Sequence, residues 1–353
     1  METSPEHIPH VAIVLLSYNS LPLIKQFLPK IVDTVPNSSD VKVVVVDNAS
    51  TDRTGNWVRE NFPQVQLITI TVNHGFTGGY TESLPQIKAK NYVLISSDIE
   101  VTPGWLEAGL EVLDSDDKIA AVQPKVKSFD RRDEFEYAGA AGGYIDYLGY
   151  PFCRGRLVNS VEKDTGQYED VREIFWASGA CLFIKADLYH KAGGLDNDFF
   201  AHMEEIDLAW RLKNMGYKIM YQPKAEIYHM GGYVIAYGSP GKIFRNHRNN
   251  LIMLLKNLPA SEVWWKIPLR FLLDYLAFFK MLADGNPKAS LAVFKAHRDF
   301  VNCFGKWYKK RKEVQKLFTK RNTFGICNKS IIFHFYVLRN RYFKELKWDP
   351  AKK

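Results

Sequence analysis

Cysteine is scarce: Cys153, Cys181, Cys303 and Cys327 are the four in 353 residues, too dispersed for a zinc ribbon or a CxxC redox pair. Free thiols in a reducing compartment are expected. Neither GxGxxG nor GxxxxGK[ST] occurs, which counts against a dinucleotide oxidoreductase and a P-loop nucleotidase. No run reaches the roughly 18 to 20 uncharged apolar residues that cross a bilayer. The opening METSPEHIPH lacks a basic stretch followed by an apolar one, so no signal peptide is expected and cytoplasmic residence follows. Apolar material is plentiful: 46% of residues are hydrophobic, enough for a large core and for two or three structural units.

Charge is divided unevenly. Residues 1–240 carry a net charge of −10 and residues 241–353 a net charge of +18, so the overall +8 belongs to the last third alone. Such a basic segment points to an anionic partner, a membrane surface or a nucleic acid. No nucleic-acid module accompanies the basic residues, which disfavours the second.

Continuous branched runs, VAIVLLSY from Val11 and VKVVVVD from Val41, read as strands buried on both faces of a parallel sheet. VQLITITV, NYVLISSD and KIAAVQPKV repeat the signal, and segments with helical spacing lie between, near Leu21–Val32, Gly78–Lys88 and Trp105–Leu113. The series predicts an α/β fold with a doubly wound, mostly parallel sheet. Ligands of such sheets bind beyond the carboxyl ends of the strands. Two strands end there in an acid, Asp47 and Asp98. Without a glycine cradle, acids in that place suit a divalent cation, Mg²⁺ or Mn²⁺, that bridges a carboxylate to a diphosphate, and Asp98 is the expected ligand. An Asp before Thr102-Pro103-Gly104 also serves as an ordinary turn residue.

A third acidic feature is FFAHMEEIDLAWRL, Phe199 to Leu212. Helical register puts Leu208, Leu212 and Met215 on one face, lets Asp207 pair with Arg211, and places Glu204 and Glu205 in the first turn. A helix start tolerates such acids for its dipole alone, so capping and chemistry both fit this segment.

Taken in order, VLLSYNS, VVVVDNASTDRT, NHGFTGGY, ISSDIEVTPGW, WASGACLFIKADLYHKAGGLDNDFFAHMEEIDLAWRLKNMGYKI and IYHMGG resemble a family 2 glycosyltransferase, most closely the rhamnosyltransferase-like branch that builds bacterial surface polysaccharide. The resemblance covers nearly all of Val11 to Gly232. It implies a GT-A fold: a Rossmann-like, mostly parallel sheet flanked by helices, with a helical C-terminal extension. The catalytic domain would span 1–240, with a nucleotide-sugar half at about 10–125 and an acceptor half at about 126–240, and residues 241–353 would form a basic, amphipathic helical region.

By the same resemblance Ser17, Tyr18 and Asp47 hold the donor nucleotide, and Asn73, Gly75 and Gly79 form the loop where backbone approaches it. Asp98 ends the metal motif, here Ser96-Ser97-Asp98 with its first acid missing, and His229 is a further ligand or diphosphate contact. The acid in the second place of the Glu204-Glu205 pair is the base, so Glu205 is expected to take the acceptor proton, with Glu204 as the alternative. Trp176, Gly179 and Asp207 are placed in the sugar or acceptor pocket. Where the family has asparagines and a glycine, this chain reads YTES, so Tyr80 is expected to stack in or narrow the donor pocket.

The apolar stretches after residue 241 are broken by Arg270, Asp274 and Lys280, and Trp264, Trp265, Phe271, Tyr275, Phe278 and Phe279 with flanking basics resemble interfacial amphipathic helices. KWYKKRKEVQKLFTKR adds basic residues worth about 1 kcal/mol each at an anionic leaflet. Packing on the catalytic domain or on a second copy in a homo-oligomer fits the same pattern. The activity implied is inverting, metal-dependent transfer of a sugar, rhamnose by the branch resembled, from a nucleoside-diphosphate donor to a lipid-linked saccharide, by an enzyme held peripherally at the inner face of the cytoplasmic membrane. A non-catalytic, membrane-attached sugar-nucleotide or glycan-binding subunit is the alternative.

Overall fold

A computed structural model describes residues 7–231 and 238–351. The sequence of residues 232–241, rich in Gly, Pro, Ser and Tyr, predicts a mobile loop or hinge; its first part, 232–237, lies outside the described residues.

The first third is the expected βα series. Strands β1 (Val11–Ser17), β2 (Val41–Asn48), β3 (Gln66–Ile70) and β4 (Asn91–Ser96) are parallel, and helices α1 (Leu21–Thr34), α2 (Thr54–Asn61) and α3 (Gly75–Ser83) connect the first four in turn. Every residue of β1 is buried, as a strand covered on both faces must be. Val11, Ile13 and Leu15 pack toward Ile24, Leu28 and Ile31 of α1, whereas Ala12, Val14 and Leu16 belong to the core on the opposite face with Tyr80 and Leu84.

After the short β5 (Ile99–Val101) and helix α4 (Trp105–Asp114), the sheet changes character. Strand β6 (Ile119–Ser128) is followed by four short strands, β7 (Gly143–Asp146), β8 (Pro151–Cys153), β9 (Arg156–Leu157) and β10 (Ser160–Val161), which leave the main sheet. Then β11 (Arg172–Ile174), β12 (Cys181–Lys185), helices α5 (Ala186–Lys191) and α6 (Glu204–Asn214), and the long β13 (Lys218–His229) return to it. The order across the main sheet is β3-β2-β1-β4-β12-β6-β13-β11, with β5 on β13. β12 runs antiparallel to both β4 and β6, so this half is mixed within the mostly parallel sheet that was expected. The small strands form a second sheet, β10-β9-β8-β7-β14, whose last strand, β14 (Ile326–Cys327), comes from the far end of the chain.

The C-terminal part is helical as expected: α7 (Pro240–Asn257), α8 (Ala260–Ala283), α9 (Pro287–Asn302), α10 (Phe304–Gln315) and α11 (Ile331–Tyr336). It is not an appendage. Leu251 to Leu255 of α7, with Trp307, Ile331 and Phe335, share one core with Trp210 and Leu212 of α6 and Tyr221 of β13. Part of the charge asymmetry is also internal. Lys256 bridges Asp196 and Asp207 at 2.7 Å each, Lys310 pairs with Asp196 and Asp198, and Lys306 pairs with Asp198. Arg311 donates to the carbonyls of Leu255 and Leu258 at 2.5 and 2.6 Å. Three cations of the run expected to face lipid, Lys306, Lys310 and Arg311, are therefore spent on the protein's own acids and helix ends.

Candidate active site

A cavity of about 630 Å³ opens where the main-sheet strands end, between the two halves and under α7. Strand direction explains one wall. β1, β2 and β4 run parallel and hand over to loops at the same edge, so Tyr18, Asn48 and Ser97-Asp98 arrive there together. Asn48 Nδ2 donates to Asn73 Oδ1 at 3.2 Å and to the Gly75 carbonyl at 3.1 Å, while Asn73 Oδ1 also accepts from the Gly75 amide at 2.8 Å. Gly75, at φ +77°, could not carry a side chain, because a Cβ would lie 2.6 Å from the Phe200 ring.

Some expected donor residues stand one step back from that wall. Ser17 is buried and hydrogen-bonds Ser20 at 2.6 Å. Asp47 accepts from the Ser50 amide at 3.0 Å, and Gly55 packs so closely that a Cβ there would meet Asp47 Oδ2 at 2.4 Å. Gly79 lets α3 approach β1, since a Cβ would sit 2.5 Å from Leu16 Cδ1. The cavity residues beside them are Tyr18, Asn48 and Leu16. Tyr80 corrects its expectation outright: it is fully buried under the sheet, its hydroxyl facing the Val14 and Ile95 carbonyls at 3.3 Å. The alternation that makes β1 a two-faced core strand assigns α3 the same duty, so Tyr80 fills the core and leaves the pocket alone.

The fold brings Asp98 and His229 together. Asp98 ends β4's loop, His229 ends β13, and their Oδ2 and Nε2 atoms lie 3.3 Å apart in the cavity wall. The other ring nitrogen, Nδ1, faces Glu136 Oε2 at 3.2 Å. Burial disfavours charge on the ring, but the Asp98 and Glu136 carboxylates outweigh it and hold His229 well above the ordinary imidazole value. Asp98, despite a burial penalty that acts to raise it, is held below the usual carboxylate range by His229. Once Nε2 gives up its proton, a hard oxygen donor beside an imidazole steered from behind by a carboxylate would fit a divalent cation. Glu136 lies in an unremarkable EFEYAG segment with no motif to mark it, and only the folded chain brings it to His229.

Across the cavity stand Glu204 and Glu205, at the first turn of α6 as expected. The entry to that helix is unusual: Phe200, His202 and Met203 all have positive φ, at 63°, 74° and 72°. Such backbone costs on the order of 1–3 kcal/mol per residue and needs support. Asn249 of α7 supplies it, with Nδ2 facing the carbonyls of Phe199, Ala201 and His202 at 3.0, 3.0 and 2.8 Å. Its Oδ1 accepts in turn from Arg248 Nε at 3.0 Å. The helix mouth is thus aimed by a residue some fifty positions later in the chain.

The two acids have one oxygen each, Glu204 Oε2 and Glu205 Oε2, that is buried and without a hydrogen bond. Burial pushes Glu205 up to about 7. Burial, and next the Glu205 charge, raise Glu204 well above the carboxylate range. Trp176 and Gly179 line the same cavity; the Trp176 Nε1 donates to the Tyr144 carbonyl at 2.8 Å, and a Cβ on Gly179 would come within 3.8 Å of the Glu205 Cβ. Asp207 does not join them. It is fully buried, bonded to Arg211 Nε at 2.9 Å, Lys256 Nζ at 2.7 Å and Asn257 Nδ2 at 2.8 Å. One turn along a helix from Glu204 is on the same side, but α7 covers that position. The expected Asp207–Arg211 pair is real, and it is structural.

A second cluster joins α7, α8 and α9, where His247 Nδ1 and His297 Nε2 each lie 3.1 Å from Asp274 Oδ2. Arg270 stands 3.6 Å from the other carboxylate oxygen. A guanidinium already neutralises this acid, so the group reads as an internal polar tie between helices.

The model of Glycosyl transferase family 2 matches residues 12–191, half of the chain, and the chain belongs to that family. It is similar to an N-acetylglucosaminyl-diphospho-decaprenol L-rhamnosyltransferase of Mycobacterium tuberculosis, 24% identical over 279 residues that span 74% of this chain and 88% of the relative. The low-salt glycan biosynthesis hexosyltransferase Agl10 of Haloferax volcanii is 21% identical over 58% of this chain and 61% of its own length. Among solved structures, the mannosyltransferase PcManGT from Pyrobaculum calidifontis, in complex with GDP-Man and Mn²⁺, superposes with a TM-score of 0.51 over 89% of this chain and 87% of that one, at 18% identity. The expected GT-A architecture is the observed one.

Proposed function

We propose that the protein is an inverting, divalent-metal-dependent glycosyltransferase that moves a sugar from a nucleoside-diphosphate donor to a hydroxyl of a lipid-linked saccharide. One observation carries this reading: a single cavity holds the Asp98–His229 pair at the strand ends and, on its other side, the two acids of α6 with unpartnered oxygens.

Each wall has its task. Tyr18, Asn48 and Asn73 line the end for the nucleoside, with Ser17, Asp47 and Gly79 behind them shaping it. Asp98 and His229 would hold Mg²⁺ or Mn²⁺, which when bound supplies neutralising charge for the departing diphosphate. The acceptor oxygen attacks the anomeric carbon on the face opposite that diphosphate; the new C–O bond forms as the old one breaks, and configuration inverts. Glu205 takes the hydroxyl proton on its free oxygen. A carboxyl near 7 matches working pH better than an ordinary one, which makes it a better proton acceptor. Trp176 and Gly179 bound the sugar beside it. The named function of the Mycobacterium tuberculosis relative supports a lipid-diphosphate acceptor and a rhamnosyl donor, and the Mn²⁺ in the mannosyltransferase structure supports the metal.

Membrane attachment rests on α8. No helix among the described residues is long and apolar enough to cross a membrane. Instead Trp265, Leu272, Leu276 and Phe279, spaced by seven, four and three, share one helix face and are all exposed. An exposed apolar stripe of this kind suits the interface of a bilayer.

The test is a panel of nucleoside-diphosphate sugars offered with polyprenyl-diphosphate N-acetylglucosamine, with Mn²⁺ or with chelator, followed by product detection. Transfer that needs the metal is the expected result. Donor binding without product under every condition would point to the sugar-nucleotide-binding subunit and sink the transferase reading. Flotation with anionic vesicles checks attachment: the whole chain is expected to float, and Leu276→Glu with Phe279→Glu to stay behind.

A further inference from the structure

Arg156 of β9 is a cation that the reaction just described leaves unused. It is 5% exposed and lines the cavity, and its Nη1 and Nη2 donate only to neutral groups, the Val158 carbonyl at 3.1 Å and the Cys153 sulfur at 3.3 Å. Its Nε is buried with no hydrogen bond. Among the described residues no carboxylate is in ion-pair contact with it. A guanidinium stays charged at any working pH, and a cation taken out of water without an acid is costly. The Tyr137 ring, its centroid 4.6 Å from the guanidinium carbon, offsets only part of that cost. An anion in the cavity would complete the group.

The packing of β9 decides which end of the cavity this charge serves. Gly155, at φ +86°, lies against the Phe135 ring, where a Cβ would come within 2.7 Å. Glu162 bridges the same two segments: its amide donates to the Gly155 carbonyl at 2.8 Å, and its carbonyl accepts from the Phe135 amide at 3.0 Å. Arg156 is thereby locked beside residues 135–138. Within that segment Tyr137 and Ala138 line the cavity, Tyr137 offering its ring to the guanidinium, and Glu136 steers His229. Arg156 thus stands on the wall of Asp98, His229 and Glu136. The second arginine among the described cavity residues, Arg245 of α7, lies over the Phe200 ring at 5.6 Å, at the entry to α6, with the Glu204 carboxyl acting on it. It belongs to the opposite wall.

We propose that Arg156 is a donor-binding residue whose guanidinium takes the β-phosphate of the nucleoside-diphosphate sugar, with or without a divalent cation. The inference rests on the glycosyltransfer reading above and adds a residue to its donor site. The triplet Ser96-Ser97-Asp98 offers a single acid, and Asp98 and Glu136 together already cancel the two charges of a divalent cation. A diphosphate would then meet no surplus of positive charge. Arg156 supplies it. Nη1 and Nη2 each keep a second N–H after their bonds to Val158 and Cys153, and such donors match paired phosphate oxygens. As the anomeric C–O bond breaks, its electron pair stays on the β-phosphate oxygen, and a fixed cation beside it takes up the added charge with no proton to move.

Calorimetric titration of the full chain in chelator, with UDP, GDP and dTDP each set against its monophosphate, tests this. At least one diphosphate is expected to bind about tenfold or more tightly than its monophosphate without metal, the worth of one charge-assisted contact. Arg156→Gln is expected to erase most of that preference while monophosphate affinity and melting temperature hold. Arg156→Lys, which keeps the buried charge but loses the fork, is expected to lower it by a smaller factor, and it decides the matter if Arg156→Gln melts far below wild type. Equal weakening of monophosphate and diphosphate by these substitutions would mark a structural role and overturn the proposal. So would a wild-type preference that vanishes in chelator. If none of the diphosphates binds even with Mn²⁺, the glycosyltransfer reading itself fails and takes this one with it.

Discussion

The two halves of the main sheet, proposed above to serve the nucleotide and the acceptor, build their walls of the cavity in opposite ways. In the first, Tyr18, Asn48 and Asp98 stand where parallel strands stop, and a regular sheet places them. In the second, Glu204 and Glu205 stand after a run of left-handed residues that no regular element supports, held by an asparagine from α7. A sheet edge positions side chains through the backbone ladder; a strained loop positions them only while its clamp is in place. The donor end should therefore tolerate local change, and the acceptor end should fail when distant residues change.

The largest effect expected from that contrast is at the base. Glu205→Gln should lower kcat by about 10²- to 10⁴-fold with little change in donor KM, whereas Glu204→Gln should cost less. If both variants keep full transfer, the assignment of the base is wrong. In the wild-type enzyme kcat/KM should rise with pH through about 7, because Glu205 accepts a proton only when ionised. Stability runs the other way. A carboxyl raised from 4.5 to about 7 in the folded protein contributes stability that is full below 4.5 and is lost as pH rises through 7. Glu205→Gln should accordingly melt higher than wild type at pH 8 and no higher at pH 4.5.

Asp207→Ala should come next, costing about 3–5 kcal/mol of stability, since Lys256 and Arg211 would keep buried charge without their acid. Denaturant melts at pH 7 would measure it, and a loss under about 1 kcal/mol would mean that Asp196 alone satisfies Lys256. The smallest effect belongs to the nucleotide half. Tyr80→Phe removes two long hydrogen bonds under a rigid sheet, so about 1 kcal/mol of stability should go and transfer should persist. A large rise in donor KM for that variant would return Tyr80 to the pocket.

The same contrast explains what could be read from the chain. β1, β2 and β4 declare themselves because burial on both faces demands unbroken branched runs, and the acids that close β2 and follow β4 are visible for the same reason. The helix of Glu204 and Glu205 was legible from its periodicity and its Asp207–Arg211 spacing. What could not be read depends on long-range contact. Asp207 repeats the chemistry of its neighbours in sequence, and only the packing of α7 distinguishes it. Glu136, Arg156 and Arg245 have no periodicity or motif, and their relation to the cavity exists only after the second sheet and α7 have closed over it. The basic tail misled in part, because a charge count along the chain cannot tell an external partner from acids elsewhere in the same fold.

Lys256 lies in α7 yet completes the ion cluster of α6, well past the last residue, 191, that the family model matches. The consequence concerns how the molecule opens. A helix whose buried acid depends on a cation from another helix cannot melt by itself, so α6 and α7 form one cooperative unit. Their core amides should exchange with solvent at a common free energy, and a chain ended at residue 240 should show protection in β1 and β2 but none in α6. Local breathing of the acceptor end, in that case, is breathing of the C-terminal helices.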